Sequence, residues 1–346
     1  MKLILGVLLK WTVLVLLALV LCMEIDPEGM LQAAEPEDLP VPFGFEDYSL
    51  MSGGMKRWFM VQTPAAILAK NKMPVVILLH GGTQSMRKLF TRGAGGTKLW
   101  PELAQKEGFL LVVPNGVNPD NLDTYGDHQN WNDLRNTGAW AQQKADDVGF
   151  LKALLDWLPK HYAVDLKRVY VTGASNGGMM TQRLLIEAPE RFAAGAAFIS
   201  SLPSSQVAIS PPKLSTPILL MNGTEDKLVL WNGGQVARNR GETRPVLETV
   251  AWWVKTNHVG PTAEKSVWLP DLDPYDECRI HQDTYPAKGK NSAPVVFYTV
   301  EGGGHAMPSN RYPIGNAPWV RQIFGHSCRD LDGVQTAWDF MKQFHR

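Results

Sequence analysis

The sequence is poor in cysteine and has no excess of charge of either sign. It contains three cysteines in 346 residues, and its 34 basic side chains balance 34 acidic ones. Because the chain has no net charge and no run of basic residues, nothing in the sequence indicates a basic surface that would bind a polyanion. We therefore expect no nucleic-acid partner. Zinc-ligand spacings, His-Glu-x-x-His and phosphate loops are also absent from the sequence, so we expect no metal and no cofactor.

Long apolar runs are absent except at the N-terminus. Residues 1–10 contain two lysines and Trp11–Met23 is almost entirely apolar, which is the pattern of an export signal. Residues 3–22 are also about long enough to span a bilayer. We therefore predict an exported protein, extracellular or periplasmic, in which residues 1–23 are either a signal peptide or a retained membrane anchor. Residues 24–43 are acidic and rich in proline, and we interpret them as a linker.

Export would bring the chain into an oxidising compartment, where disulfides persist. Apart from Cys22 in the N-terminal segment, the cysteines are Cys278 and Cys328, and these two could form a disulfide. Closing a loop of that length would stabilise the fold by about 4 kcal/mol. Two unpaired buried thiols are the alternative, and the sequence does not decide between them.

Residues 44–346 alternate between short apolar runs and helical patterns, without a second linker or a repeat. The apolar runs are rich in Val, Ile, Leu and Phe, as in strands that are covered on both faces. We therefore predict one α/β domain with a mostly parallel central sheet and helices on both faces. The predicted strands are Val75–Leu79, Phe109–Val113, Val169–Thr172, Ile218–Met221 and Val295–Val300. The predicted helices are Leu99–Lys106, Ala145–Tyr162, Asn176–Ala188, Pro245–His258 and Gly333–His345.

Two long stretches, Asn115–Gln143 and Pro270–Lys290, show neither pattern. Long irregular segments in a compact domain are usually functional loops, so we predict that both form walls of a substrate site. Trp131, Trp140 and Trp231 lie on predicted loops, where their rings could stack on an aromatic group or a sugar. Burial of these rings in the core is an equally strong alternative.

The most informative motif is a Gly-x-Ser-x-Gly pattern centred on Ser175. It follows the predicted strand Val169–Thr172 and opens a predicted helix. On such a sharp strand-to-helix turn the glycines leave room for the chain, and the turn exposes the serine hydroxyl at the edge of the sheet. We predict that Ser175 is a nucleophile. A Gly/Ser helix cap without catalytic function is the alternative.

A serine nucleophile needs a base, and the base needs an orienting acid. In hydrolases built on this turn the chain order is serine, acid, histidine, each after a strand. The strand Ile218–Met221 leads to Asp226, and Val295–Val300 leads through three glycines to His305. We predict Asp226 as the acid and His305 as the general base. Glu225 is the alternative acid and His326 the alternative histidine.

The reaction also needs N–H donors for the oxyanion of the tetrahedral intermediate. One donor is expected from the residue after the nucleophile, Asn176, and the other from a loop after an earlier strand. The segment His80-Gly81-Gly82-Thr83 follows the predicted strand Val75–Leu79. We predict the backbone N–H groups of Asn176 and Gly82 as the donors, with Thr83 as the alternative to Gly82.

Taken together, these segments resemble the polyhydroxybutyrate depolymerase and feruloyl esterase family of α/β-hydrolases. The resemblance covers about residues 50–346. It implies an α/β-hydrolase catalytic domain over residues 44–346, hydrolysis of carboxylic esters outside the cell, and a triad of Ser175, Asp226 and His305. The matching stretches are Leu79–Ser85, Gly108–Gly116, Trp131–Asn132, Asp146–Phe150, Arg168–Gly173, Ser175–Met180, Asn222–Asp226, Gly302–His305 and Ala337–Phe340.

One departure from the family concerns the residues after the histidine. The family usually has Thr-Trp-Pro-Gly there, whereas this chain has Ala306-Met307-Pro308-Ser309. The aromatic platform is therefore missing, and we predict Met307 as a softer wall of the substrate site.

The sequence leaves three functions open. The favoured one is a feruloyl-type esterase that cleaves acyl or aromatic esters of a polysaccharide. The second is a depolymerase of polyhydroxyalkanoates such as polyhydroxybutyrate, acting on an aliphatic polyester. The third is an inactive hydrolase-like binding protein, which the complete serine, acid and histidine set argues against.

Overall fold

The computed structural model describes residues 44–65, 72–91, 95–135, 145–315 and 317–346. The predicted signal or anchor segment, the predicted linker and Trp140 lie outside these ranges, so those predictions stay untested. In the ranges that are described, no helix is both long and apolar enough to cross a membrane.

The described residues form twelve strands. Ten of them make one sheet in the order β1-β2-β4-β3-β5-β6-β7-β12-β11-β10. Every neighbouring pair from β4 to β12 is parallel, and the strands at the two edges are antiparallel. The strands are β1 (Phe45–Ser52), β2 (Met55–Gln62), β3 (Met73–Leu79), β4 (Leu110–Pro114), β5 (Val164–Ala174), β6 (Ala194–Phe198), β7 (Ile218–Gly223), β8 (Gly234–Gln235), β9 (Glu242–Thr243), β10 (Lys265–Trp268), β11 (Arg279–Tyr285) and β12 (Val295–Glu301).

The sheet is covered on both faces by helices, as the apolar runs predict. Alternate residues of β3 belong to two separate core clusters, Val75 and Ile77 to one and Val76 and Leu78 to the other. Helices α2, α3 and α4 pack into the first cluster, and α1 and α6 into the second. The helices are α1 (Leu99–Glu107), α2 (Asp147–His161), α3 (Asn176–Glu187), α4 (Val246–Thr256), α5 (Pro318–Phe324) and α6 (Gly333–Met341). The predicted fold class, an α/β fold with a mostly parallel sheet, is confirmed.

All five predicted strands and all five predicted helices are present, with shifts of a few residues at their ends. One expectation is wrong. The stretch Pro270–Lys290 is not irregular throughout, because Arg279–Tyr285 forms β11, which pairs antiparallel with β12. Its side chains are mostly half-exposed and polar, so the run lacks the apolar signal of the central strands.

A buried ion pair ties the sheet edge to α2. The guanidinium of Arg57 on β2 donates to Oδ1 of Asp147 at 2.6 Å, and both side chains are almost fully buried. The other oxygen of Asp147 accepts the backbone N–H of Asn132 at 2.7 Å. Burial raises the pKa of the Asp147 carboxyl, and Arg57 opposes that rise. Asp147 therefore holds Arg57 and the loop at residue 132 as well as opening the helix.

We expect Asp147→Ala to lower the free energy of unfolding by about 3–5 kcal/mol, because it leaves the Arg57 charge buried without its partner. The neighbouring variant Asp146→Ala is the matched control. Asp146 is exposed and caps α2 by accepting the N–H of Gly149 at 2.8 Å. Its loss is expected to cost only about 1 kcal/mol. Urea unfolding of both variants measures the difference, and equal losses would contradict this account of Asp147.

Candidate active site

Ser175 lies on a sharp turn between the end of β5 and the start of α3. Its φ is 57°, a left-handed value that is uncommon for serine. Strain of this kind at a serine is typical of the Gly-x-Ser-x-Gly turn. A side chain at Gly177 would overlap the carbonyl oxygen of Leu79, so only glycine lets the turn approach the end of β3 so closely.

Asp226 and His305 are in contact at the edge of the sheet where the parallel strands end. The loops that contain them follow β7 and β12, which are parallel neighbours. Nδ1 of His305 lies 2.7 Å from Oδ2 of Asp226, and both side chains are buried. The other oxygen of Asp226 accepts the N–H groups of Leu228 and Val229, each at 2.8 Å. An acid fixed in this way orients the ring and leaves Nε2 for proton transfer.

The geometry separates Asp226 and His305 from their alternatives. Glu225 is exposed, whereas Asp226 is buried against the imidazole. Nε2 of His326 lies 3.8 Å from Oε2 of Glu277, so this histidine has a different carboxylate as its neighbour.

Ser175 lies at the same edge of the sheet as Asp226 and His305, since β5, β7 and β12 are parallel strands separated only by β6. Among the described residues, its hydroxyl neither caps α3 nor hydrogen-bonds to His305. Catalytic hydrogen bonds are often long in enzymes without substrate and tighten in the complex. The structure thus brings Asp226 and His305 into contact and places the half-buried Ser175 at the same edge of the sheet.

The two predicted oxyanion donors are neighbours. A Cβ placed on Gly82 would lie 3.5 Å from Cβ of Asn176. Neither backbone N–H has an acceptor in the part of the chain that the structure describes. The alternative donor, Thr83, is occupied, because its N–H donates to Oδ1 of Asn130 at 2.9 Å. Of the three predicted donors, Gly82 and Asn176 are therefore the two whose N–H groups have no acceptor among the described residues.

The side chain of Asn176 joins the serine turn to the loop at residues 130–133. Its Oδ1 accepts the N–H of Trp131 at 2.7 Å, and its Nδ2 donates to the carbonyl of Trp131 at 3.0 Å. Nδ2 also donates to Oδ2 of Asp133 at 2.7 Å, and Arg135 forms a salt bridge with the same carboxylate. This network fixes the first turn of α3 against the loop.

His80 and Trp131 support the loop that contains Gly82. Burial lowers the pKa of His80 to about 4, so the ring is neutral. Its Nε2 accepts the N–H of Gly116 at 2.9 Å, which leaves Nδ1 to donate to the carbonyl of Gly81 at 2.7 Å. The indole N–H of Trp131 donates to the carbonyl of His80 at 3.0 Å. Both side chains thus position the backbone that precedes Gly82.

Two of the three predicted substrate-binding residues, Trp131 and Met307, are buried in the structure. Trp131 has an exposed fraction of 0%, so no face of its ring is open to a substrate. Met307 is also buried in the second core cluster, where its Cγ would lie 2.7 Å from a Cβ placed on Gly333 of α6, so it is no wall of a cleft. Trp231 is half-buried, with its ring stacked 6.1 Å from that of Phe297 on β12. The burial alternative therefore holds for Trp131, and Met307 is likewise a core residue, whereas the role of the half-buried Trp231 stays a prediction.

Three residues that support the site through hydrogen bonds were not predicted from the sequence: Asn130, Asp133 and the side chain of Asn176. The sequence does contain one indication of these contacts, the polar run Gln129-Asn130-Trp131-Asn132-Asp133. In the structure almost all of its side chains are buried, which is unusual for polar residues. Buried polar groups need partners. Such a run therefore indicates a hydrogen-bonded network, although it does not tell which residues the network contacts.

Known proteins that are similar to this chain are mostly named as esterases. The model of the Prolyl oligopeptidase family matches residues 101–201. A protein named "Putative esterase NocK" from Nocardia uniformis subsp. tsuyamanensis is 29% identical over 300 residues, which cover 84% of this chain and 80% of that protein. Feruloyl esterase B of Piromyces equi is 28% identical over 58% of this chain, and this region covers 32% of that protein. Poly(3-hydroxyalkanoate) depolymerase C of Paucimonas lemoignei is 24% identical over 68% of this chain and 55% of its own length.

The chain thus spans about a third of the length of the feruloyl esterase and about half of the length of the depolymerase. Among solved structures, the acetyl xylan esterase from Aspergillus awamori aligns over 81% of this chain and 99% of its own, with a TM-score of 0.48 and 14% identity. The named relatives agree with the resemblance that the motifs indicate. The chain thus has the α/β-hydrolase fold, and it is similar to carboxylic ester hydrolases that include a feruloyl esterase and a polyhydroxyalkanoate depolymerase.

Proposed function

We propose that the protein is a serine esterase in which Ser175, His305 and Asp226 form a catalytic triad. The observation that supports it most is the 2.7 Å contact between His305 Nδ1 and Asp226 Oδ2, next to a strained serine turn. In the proposed reaction Nε2 of His305 removes the proton from Ser175 as its oxygen attacks the ester carbonyl. The alcohol leaves with that proton, and water then releases the acid from the acyl-enzyme.

We further propose that the oxyanion is bound by the N–H groups of Gly82 and Asn176. Both groups lack an acceptor among the described residues, and the two residues lie side by side. Removing one donor of this kind typically costs about 10²–10³ in kcat, so the position of the Gly82 loop matters for the rate. Asp226 keeps the imidazole in the tautomer that can accept the proton and stabilises the ring once it is charged.

For the substrate, we propose an acyl or aromatic ester of a polysaccharide, of the feruloyl type. The support comes from relatives named feruloyl esterase and acetylxylan esterase, at 26–34% identity. A polyhydroxyalkanoate is the second candidate, because one relative is a depolymerase of that polymer. We also propose that residues 44–346 are one catalytic domain of an exported chain, as the N-terminal pattern indicates.

The triad is tested by point variants assayed on a short-chain nitrophenyl ester. We expect Ser175→Ala and His305→Ala to lower kcat by at least about 10³-fold, and Asp226→Asn by a similar factor. Glu225→Gln and His326→Ala are the matched controls and should stay within about twofold of the wild type. A loss in Glu225→Gln with activity retained in Asp226→Asn would reject the proposed acid.

The role of Trp131 in holding the Gly82 loop is tested by Trp131→Phe, which keeps an aromatic ring but removes the donor to His80. We expect kcat to fall about tenfold with little change in KM, since the loop then shifts relative to the oxyanion. Trp100→Phe is the control: Trp100 is also fully buried, but its indole nitrogen has no hydrogen-bond partner among the described residues. Equal effects of the two variants would mean that Trp131 acts only by filling space.

The substrate class is tested by measuring product release from methyl ferulate, acetylated xylan and 3-hydroxybutyrate oligomers side by side. We expect kcat/KM to be highest on one of the first two, by at least about tenfold, which corresponds to 1.4 kcal/mol in the activation free energy. Preference for the oligomers would replace the first candidate by the second. Inactivity on every ester, with carbohydrate binding retained, would support a binding protein instead.

A further inference from the structure

Cys278 and Cys328 are distant in sequence but adjacent in the fold. Cys278 precedes β11 and Cys328 follows α5; both are buried free thiols. The two sulfur atoms and a carboxylate oxygen of Asp276 lie within 4.8 Å of one another. A hydrogen bond with Cys328, together with burial, raises the pKa of the Cys278 thiol. The thiols are therefore close enough to be joined by side-chain rotation and a small backbone shift.

The two cysteine-containing segments lie on either side of the glycine run that leads to His305. A Cβ placed on Gly302 would overlap the carbonyl oxygen of Glu277 and lie 3.6 Å from Cα of Cys278. One placed on Gly304 would overlap the carbonyl oxygen of Phe324 and lie 2.5 Å from Cα of Gly325. The glycine run is thus packed between the backbone at residues 277–278 and the backbone at residues 324–325.

The second of these segments also provides backbone acceptors for the histidine loop. The N–H of Gly304 donates to the carbonyl of His326 at 2.8 Å, and the N–H of His305 donates to the carbonyl of Phe324. Further along, the N–H of Ser309 donates to the carbonyl of Cys328 at 3.0 Å. Movement of the segment 324–328 away from the sheet would therefore release the backbone of His305.

We propose that Cys278 and Cys328 form a disulfide that clamps these two segments around the Gly302–His305 run. The clamp's importance for catalysis rests on the proposed function of His305, whereas the bond itself does not. The bond forms by exchange with an external disulfide. The two cysteine S–H bonds and one external S–S bond are lost, one protein S–S bond is made, and two external thiols are released.

A metal site is the competing use of the same side chains, and the hydrogen bonds argue against it. Oδ1 of Asp276 accepts the N–H of Cys278 at 2.9 Å, and Oδ2 accepts the N–H of Arg329 at 2.7 Å. Oδ1 of Asp330 accepts the N–H of Leu272 at 2.8 Å. These carboxylates already bridge the two segments by hydrogen bonds to the backbone, so they are satisfied without a cation.

The raised pKa of Cys278 affects when the bond forms. Only the thiolate exchanges with a disulfide, and burial makes the thiolate scarce in the folded protein. We therefore expect oxidation during folding rather than after it. The oxidised and reduced forms are accordingly prepared by refolding the full chain with a glutathione redox mixture or with dithiothreitol.

Three measurements test the proposal. Mass spectrometry of a non-reduced digest of the oxidised form should show the peptides of Cys278 and Cys328 linked. Thermal unfolding should then give Tm losses of roughly 5–10 °C that are equal in Cys278→Ala, Cys328→Ala and the double variant, because any of the three removes the same bond. Amide exchange at Gly304 and His305 should be at least about tenfold slower in the oxidised form, with no change at residues 169–174 of β5.

Three outcomes would overturn the proposal. After oxidative refolding, alkylation of both thiols in most molecules would show that no bond forms. Tm losses that add in the double variant would mean two separate buried thiols. Stoichiometric zinc in the purified protein, with a Tm that falls on chelation, would assign the cluster to a metal. None of these readouts uses esterase activity, so they stand apart from the test of the triad.

Discussion

The position of the candidate site residues depends on the parallel alignment of the central strands. Parallel strands present their carboxyl ends at one edge, so the loops after β3, β5, β7 and β12 all begin there. That alignment brings Gly82, Ser175, Asp226 and His305, which are spread over more than 200 residues of sequence, to the same edge of the sheet. The hydrogen bond between His305 and Asp226 is the local result of β7 and β12 being parallel neighbours.

Close backbone approach is the second requirement of the site, and glycine meets it. Gly177 lets the serine turn lie against the end of β3, where side chains would overlap the carbonyl of Leu79. Gly302 and Gly304 do the same for the histidine loop between two outer segments. The strain at Ser175 persists because the surrounding packing fixes the backbone on both sides. Buried hydrogen bonds from Asn176 and Trp131 add to that support.

Much of the fold and several candidate site residues could be predicted from the sequence, because the patterns that indicate them involve residues close together in the chain. Continuous apolar runs identified the central strands, and chain order after those strands predicted Ser175, Asp226 and His305, of which the last two are in contact. Burial of Trp131 and Met307 could not be predicted, since a tryptophan on a loop and one in a core are chemically the same residue. The ion pair of Asp147 with Arg57 could not be predicted either, because Arg57 lies 90 residues away in sequence and contacts Asp147 only through tertiary packing. The strand at Arg279–Tyr285 was missed because its half-exposed polar residues show no apolar run.

The central claim is that one serine, one histidine and two oxyanion donors act on the same ester carbonyl group. A crystal structure of the protein inactivated by a nitrophenyl alkylphosphonate tests this most directly. We predict phosphorus bonded to Oγ of Ser175, with a phosphonyl oxygen about 3 Å from the backbone nitrogens of Gly82 and Asn176 and with Nε2 of His305 facing the adduct. A label on another residue, or a phosphonyl oxygen turned away from both nitrogens, would contradict the account.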